Sequence, residues 1–269
     1  MEAAEAFMPF ADAQLAKEAA KIFKKQGLNI ELGAKVTRAE VEDDAVTVRY
    51  ETKEGEQQLV VDKLLVAVGR KPNTENALSE DCGVKLNQRG FIEVDEHCFT
   101  GVDGVYAIGD CVRGAMLAHK ASEEGVMVAE LIDAQAGHVR YDVIPSVIYT
   151  HPEMAWVGQT EAQLKEAQID YVKGEFPFAA NGRAKAMNAE AGFVKILADA
   201  QTDEILGAHI IGANASEMIH ELIVAMEFYA ASEDVARIMH AHPTLSESIH
   251  EAALAVSGHA LHKVNVKKK

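Results

Sequence analysis

Lys63 to Gly69, KLLVAVG, is the stretch that most constrains this chain. Its run of apolar side chains closes on a glycine and suits a strand covered on both faces. Such a strand needs helices against it and strands beside it, so an α/β layer is expected around it. The preceding residues meet part of that demand. Asp12 is placed to cap a helix in which Leu15, Ala16, Ala19, Ile22 and Phe23 share one face, with Gly27 as its stop. NIELG (29–33) reads as a short strand. AVTVRYET (45–52) alternates and reads as another, after the turn-forming Asp43 and Asp44. Helix, strand and buried strand in this order predict the latter part of an α/β nucleotide-binding domain. Ahead of it the chain opens on MEAAEAF, where neither a strand nor a Gly-rich turn is legible.

From about residue 74 to 142 the pattern changes. GFIEVDEHCFT (90–100) is strand-like, and GVYAIGD (104–110) reads as a buried strand ending in Gly-Asp. A helix is predicted over about 115–136, with Leu117, Ala121, Val128 and Leu131 towards one side. From about 143 onward an α+β unit is expected. Its strands are SVIYT, EMAWVG, FVKILAD and EILGAHIIG, followed by helices near 215–230, 232–239 and 245–257. The fold class is therefore α/β plus α+β, with boundaries near 73 and 142. At 269 residues the chain is long enough for more than one core.

Charge and cysteine content exclude several roles. With 26 basic against 42 acidic residues the net charge is −16, which repels nucleic acid and anionic membrane surfaces. The basic tail KVNVKKK (263–269) reads as a solvated end. No apolar stretch approaches a membrane span, and the N-terminus lacks the pattern of a signal peptide. Cys82, Cys98 and Cys111 are too few and too irregularly spaced for a disulfide framework, so a reducing cytoplasm is the expected compartment.

Four stretches could carry chemistry. In GVYAIGDC, Asp110 stands at the carboxyl end of an apolar segment, the edge where open α/β sheets bind ligands. It could accept from sugar or polyol hydroxyls, or simply cap the next helix. In AVGRKPNT (67–74), Gly69 permits a close approach to a ligand and Arg70 could pair with a phosphate. The plainer alternative is an exposed loop arginine. AMLAHKASEEG (115–125) opens a helix whose first N–H groups are free for a phosphate or a flavin edge, or for nothing more than water. HAHPTLSE (240–247) admits three readings. His240 and His242 could start a metal site, but further ligands are not evident and no metal is expected. Thr244 and Glu247 have the spacing of a capping box. Glu247 could also hold one ring nitrogen of His242 and leave the other for proton transfer. Spacing alone leaves cap and relay open.

Together, LLVAVGRKPNT, GVYAIGDC with MLAHKASEEG, IPSVIYTHPEMAWVG and HAHPTLSE resemble the dihydrolipoamide dehydrogenases, class I pyridine nucleotide-disulfide oxidoreductases, in their order along the chain. MLAHK favours them over glutathione, thioredoxin and mercuric reductases, and the tail lacks the paired cysteines of a mercuric reductase. The resemblance implies the remainder of a Rossmann-type NAD domain at 1–73, an FAD-contacting segment at 74–142 and an α+β dimerisation domain at 143–269. It implies FAD contacts from Asp110, Met116, Leu117, Ala118 and His119. NAD contacts would come from Glu2, Val36, Ala67, Val68, Gly69 and Arg70, with Glu2 favouring NAD over NADP. It makes His242 the base that takes a thiol proton and Glu247 its orienter, favours a cis His242–Pro243 bond, and implies a homodimer through residues from about 143 onward. The implied partners are the lipoyl domains of 2-oxo acid dehydrogenase complexes.

The pattern also departs from the family. No FAD dinucleotide motif, Cys-x-x-x-x-Cys redox pair or Gly-rich NAD turn is recognisable, and none of the three cysteines fits the redox pair. The expectation is the C-terminal portion of a longer enzyme, inactive alone. The alternatives are a non-catalytic dimerisation module and another flavin disulfide reductase.

Overall fold

The structure is a computed structural model that describes residues 1–79 and 81–265, so the end of the basic tail, 266–269, lies outside the described residues. The chain forms two compact units, one of residues 1–64 with 142–269 and one of residues 65–141.

The predicted first helix is present as α1 (Ala13–Lys25), with an Asp12 oxygen accepting from the Gln14 N–H at 3.0 Å. Gly27, at φ +92°, ends it in a conformation that a side chain would resist. An antiparallel meander follows: β1 (Lys35–Glu42), β2 (Ala45–Thr52) and β3 (Gly55–Val61), with β2 in the middle. Val48 and Tyr50 of β2 are buried while β1 and β3 are largely exposed, so only the central strand carries a clear alternation. NIELG forms no strand, and its Leu32 makes a single parallel bridge to Glu2.

The run KLLVAVG forms no strand either, contrary to the expectation drawn from it. Leu65, Val66 and Val68 are 89%, 70% and 93% exposed. A strand exists only through hydrogen bonds to neighbours, and among the described residues none flanks this run.

The 65–141 unit is built from turns and bridges with one helix, α2 (Ala118–Ile132). GFIEVDEHCFT and GVYAIGD are not strands: Ile92 bridges Leu86, Tyr106 bridges Phe99, and Gly109–Cys111 is a 3-10 turn. Their backbone groups are satisfied locally instead, as in Ile92 N–H to Cys111 O at 2.8 Å and Ala107 N–H to Cys98 O at 3.0 Å. Helix α2 is shorter than predicted, and its buried positions are Lys120, Glu124 and Met127, one register away from the apolar set read in the sequence. Lys120 and Glu124 form a buried ion pair at 3.0 Å, which an apolar pattern cannot reveal.

Returning to the first unit, β4 (Ser146–Ile148), β5 (Glu153–Gly158), β6 (Tyr171–Pro177), β7 (Phe193–Asp199) and β8 (Ile205–Gly212) make an antiparallel sheet in the order β4-β5-β8-β7-β6. Short helices α3 (Glu161–Glu166) and α4 (Gly182–Ala186) interrupt it, and α5 (Ala215–Glu227), α6 (Ser232–Arg237) and α7 (Glu247–Val256) follow. On one face Val194, Ile196 and Ile210 pack with Ile219 and Leu222 of α5 and with Ile249 and Ala252 of α7. On the other, Phe193, Ile211 and Met154 pack with Leu15, Ala19 and Phe23 of α1. Covering on both faces explains the nearly unbroken apolar run of β7.

One ion cluster lies on the α1 side of the sheet. Lys195 is fully buried and donates to Asp12 Oδ1 at 2.5 Å and Glu161 Oε1 at 2.8 Å. His209, its cross-strand neighbour, donates from Nε2 to Gln159 O at 3.1 Å and leaves Nδ1 without a partner. Where β6 meets α7, Gly174 permits near-contact, since a Cβ there would lie 2.0 Å from the Ala252 carbonyl oxygen.

Candidate active site

The HAHPTLSE stretch lies between α6 and α7. The His242–Pro243 peptide bond is cis, as is His151–Pro152. Helix α7 starts at Glu247, with Ser246 at its N-cap, two residues later than a Thr244-capped helix would place it. The capping box is only half made. Glu247 Oε2 accepts from the Thr244 N–H at 2.8 Å, but the Thr244 hydroxyl donates backwards to Ala241 O at 2.7 Å.

Glu247 Oε1 lies 2.8 Å from His242 Nδ1. A carboxylate oxygen only accepts, so Nδ1 carries the hydrogen and the neutral ring keeps a lone pair on Nε2. The two contacts are therefore not alternatives, because one oxygen of Glu247 meets the Thr244 N–H and the other the His242 ring. Burial pushes the Glu247 carboxyl up, but the Thr244 N–H and the His242 ring outweigh it and hold the group below the ordinary range, with the charge of His262 adding. His242 itself is 79% exposed at its side chain, open to a reacting partner.

His242, Glu247, His240, His250 and His262 line one cavity of about 470 Å³. Three residues that shape it have no motif around them. Asn181 is buried at the N-cap of α4 and donates to Thr244 O and Ser248 Oγ, both at 3.0 Å, which fixes the start of α7. Glu221 of α5 meets His240, and Glu251 of α7 meets His262, each at 2.6 Å. The pairing of carboxylates with histidines across elements is the signal that spacing within one segment misses.

The remaining expected residues fall in both units. Within 65–141, Arg70 pairs with Asp110 Oδ2 at 3.1 Å and donates to the Met116 carbonyl at 3.1 Å. Arg70 is thus no loose loop arginine, and Asp110 does not cap α2, whose N-cap Leu117 offers no side-chain acceptor. Asp110 sits in the 3-10 turn, and the Gly109 N–H donates to the buried Glu124 at 2.8 Å. A Cβ on Gly109 would lie 3.1 Å from the Ala121 Cβ, and φ there is +77°, so the turn needs glycine to sit this close to α2. Ala118 and His119 form the uncapped first turn of α2. Ala67, Val68 and Gly69 lie on the exposed run before Arg70. In the other unit, Val36 is the second residue of β1, and Glu2 folds its carboxylate onto the Ala4 N–H at 2.8 Å. A half-exposed carboxylate in a tight turn that only glycine permits this close to α2 suits the hydroxyls of a dinucleotide, so the residues present fit part of an FAD surface. Cys82, Cys98 and Cys111 are all free thiols.

Comparison with known proteins fits this geometry. Residues 1–125 match the family model described as pyridine nucleotide-disulphide oxidoreductase, and residues 144–253 match the dimerisation domain of the same family. Dihydrolipoyl dehydrogenase of Cupriavidus necator is 57% identical over 95% of this chain and 54% of its own length. Leghemoglobin reductase of Glycine max is 45% identical over 95% of this chain and 49% of its own. The chain thus spans about half the length of the curated relatives it matches. Among solved structures, the Cu(II) complex of the HOCl-induced flavoprotein disulfide reductase RclA from Escherichia coli superposes with a TM-score of 0.86 at 30% identity, covering 93% of this chain and 56% of that one. LpdA from Mycobacterium tuberculosis gives 0.86 at 26% identity, covering 93% and 54%.

Proposed function

This chain belongs to the pyridine nucleotide-disulphide oxidoreductase family, and on that premise we propose that it is the C-terminal portion of a dihydrolipoamide dehydrogenase. The complete enzyme would oxidise dihydrolipoamide through an active-site disulfide and reduce NAD+. Bound FAD supplies the two-electron relay between the dithiol and the nicotinamide. The redox cysteines would come from the part of the enzyme outside this chain.

His242 is the base in this reading. Its Nε2 takes the proton from a dihydrolipoamide thiol, which frees the attacking thiolate. Glu247 fixes the tautomer at Nδ1 and steadies the imidazolium once the proton has moved. Asp110 and residues 116–119 hold the flavin through one carboxylate and backbone groups. Glu2, Val36 and residues 67–70 border the NAD site, where an acid at Glu2 disfavours a 2′-phosphate. The functional division follows 1–73, 74–142 and 143–269, and the last segment forms a homodimer. Lipoyl domains of 2-oxo acid dehydrogenase complexes deliver the substrate, in the cytoplasm. Among the described residues no helix is long and apolar enough to cross a membrane.

The His242–Glu247 contact at 2.8 Å carries this reading. Its test is the full-length protein, purified with FAD and assayed for NAD+-dependent oxidation of dihydrolipoamide. Activity with dihydrolipoamide rather than glutathione is expected, with His242→Gln lowering kcat by about 10³-fold while the flavin stays bound. An unchanged rate in that variant, or a preference for glutathione, would count against it.

A further inference from the structure

A second histidine–carboxylate pair lies two residues before the first. The His240 ring is almost fully buried, with Nε2 2.6 Å from Glu221 Oε1 and Nδ1 2.9 Å from the Ile238 carbonyl. Its face stacks on the His250 ring, with centroids 5.0 Å apart and planes 12° from parallel. His250 sits one turn beyond Glu247 on α7 and holds the Ala236 carbonyl of α6 at 3.0 Å through Nε2. Three helices therefore converge on one ring: α5 through Glu221, α6 through the segment that leaves it, and α7 through His250.

We infer that Glu221 and His240 are positioning residues for His242. The inference rests on the reading of His242 as a base and deepens it. The physical reason is the contrast between the two rings. His242 is exposed and touches one fixed group, Glu247, so its Nδ1 contact survives only if the backbone carrying it is held by something else. His240 has both edges and a face engaged, and only Ala241 separates the two histidines. Glu221 Oε1 and the Ile238 carbonyl flank the two ring nitrogens of His240, so the ring donates in its own plane to an oxygen in either tautomer, while the stack on His250 stops it from tilting. The clamp sets where residue 242 leaves the wall of the cavity. Glu221 meets His240, and it acts on the reaction only through that ring.

The experiment uses the flavin-loaded full-length enzyme with Glu221→Gln, Glu221→Asp and His240→Gln. Two properties are read: the steady-state kcat and KM for dihydrolipoamide, and the ring-nitrogen NMR spectrum of His242. In the wild type, His242 is expected as a single Nδ1–H tautomer. Glu221→Gln and His240→Gln should each lower kcat about tenfold or more with KM changed less than about twofold, and His242 should become a tautomer mixture. Glu221→Asp, which keeps the carboxylate, should recover most of the rate. If both Gln variants keep the single tautomer and a kcat within about twofold of wild type, the inference fails. Should His240→Gln not fold, Glu221→Gln, which keeps the side chain's length, decides it. If the wild type does not oxidise dihydrolipoamide, the proposed function fails, and the His242 spectrum still settles whether Glu221 and His240 position the ring.

Discussion

Two histidines show how burial redirects one side chain. His242 is open and poised by Glu247, whereas His209 is sealed between the five-stranded sheet and α1. Burial is the largest influence on His209 and drives its pKa down to about 4 against the pull of Asp12, with Lys195 lowering it further. The ring is therefore neutral in the fold and charged in the unfolded chain below the ordinary imidazole value near 6.5. Its contribution is complete above that value and is lost as the pH falls through about 4, amounting to about 3 kcal/mol. Glu161 opens a second acid window. Burial raises its carboxyl, but the Lys195 and Tyr171 hydrogen bonds outweigh that and hold it at about 2, so its share persists above 4.5 and fades towards 2. Denaturation midpoints should fall between pH 6.5 and 4 in the native chain and much less in His209→Gln. Equal slopes for the two would remove His209 from the account. Neither His209 nor Lys195 announces itself in the sequence, where both sit as polar interruptions of apolar strands. The His242–Glu247 pair was legible because its members stand five residues apart. Glu221 and Asn181 were not, because the chain brings them to the site from other elements.

Among the elements, α7 determines the site geometry, since it begins with Glu247 and carries His250 and Glu251 to the cavity. It lies so close on β6 that Gly174 has room for no side chain. Gly174→Ala should push the helix off the sheet and cost at least about 1–3 kcal/mol of stability, with a matching loss of the His242–Glu247 contact. A melting temperature equal to that of the parent would contradict this. Elements with a clear pattern were readable in advance: α1, β2, four strands of the large sheet (β4, β5, β7 and β8) and the last three helices. β1, β3 and β6 escaped because polar and charged residues occupy much of their length, so no alternation marks them. KLLVAVG and GVYAIGD failed for the opposite reason. Their apolar character was plain, but a strand also needs neighbours, which a single segment cannot specify.

For the whole molecule, the exposed run at Leu65, Val66 and Val68 is its largest contradiction, because such a surface ordinarily stays away from water. This chain alone should bind a hydrophobic dye such as ANS, and Leu65→Lys with Val68→Lys should reduce that signal severalfold. Dye binding unaffected by these substitutions would mean that another surface is responsible. The two-unit arrangement has a different origin. Helix α1, near the start of the chain, is locked by Asp12 to Lys195, deep in its second half, and packs in one apolar layer with Met154, Phe193 and Ile211 of that half. Residues 65–141 are therefore an excursion that leaves a closed body and returns to it. A single cut within that excursion would break the covalent thread without freeing either end. The two fragments would stay together as a noncovalent complex, held by one helix seated against a sheet that it does not adjoin in sequence.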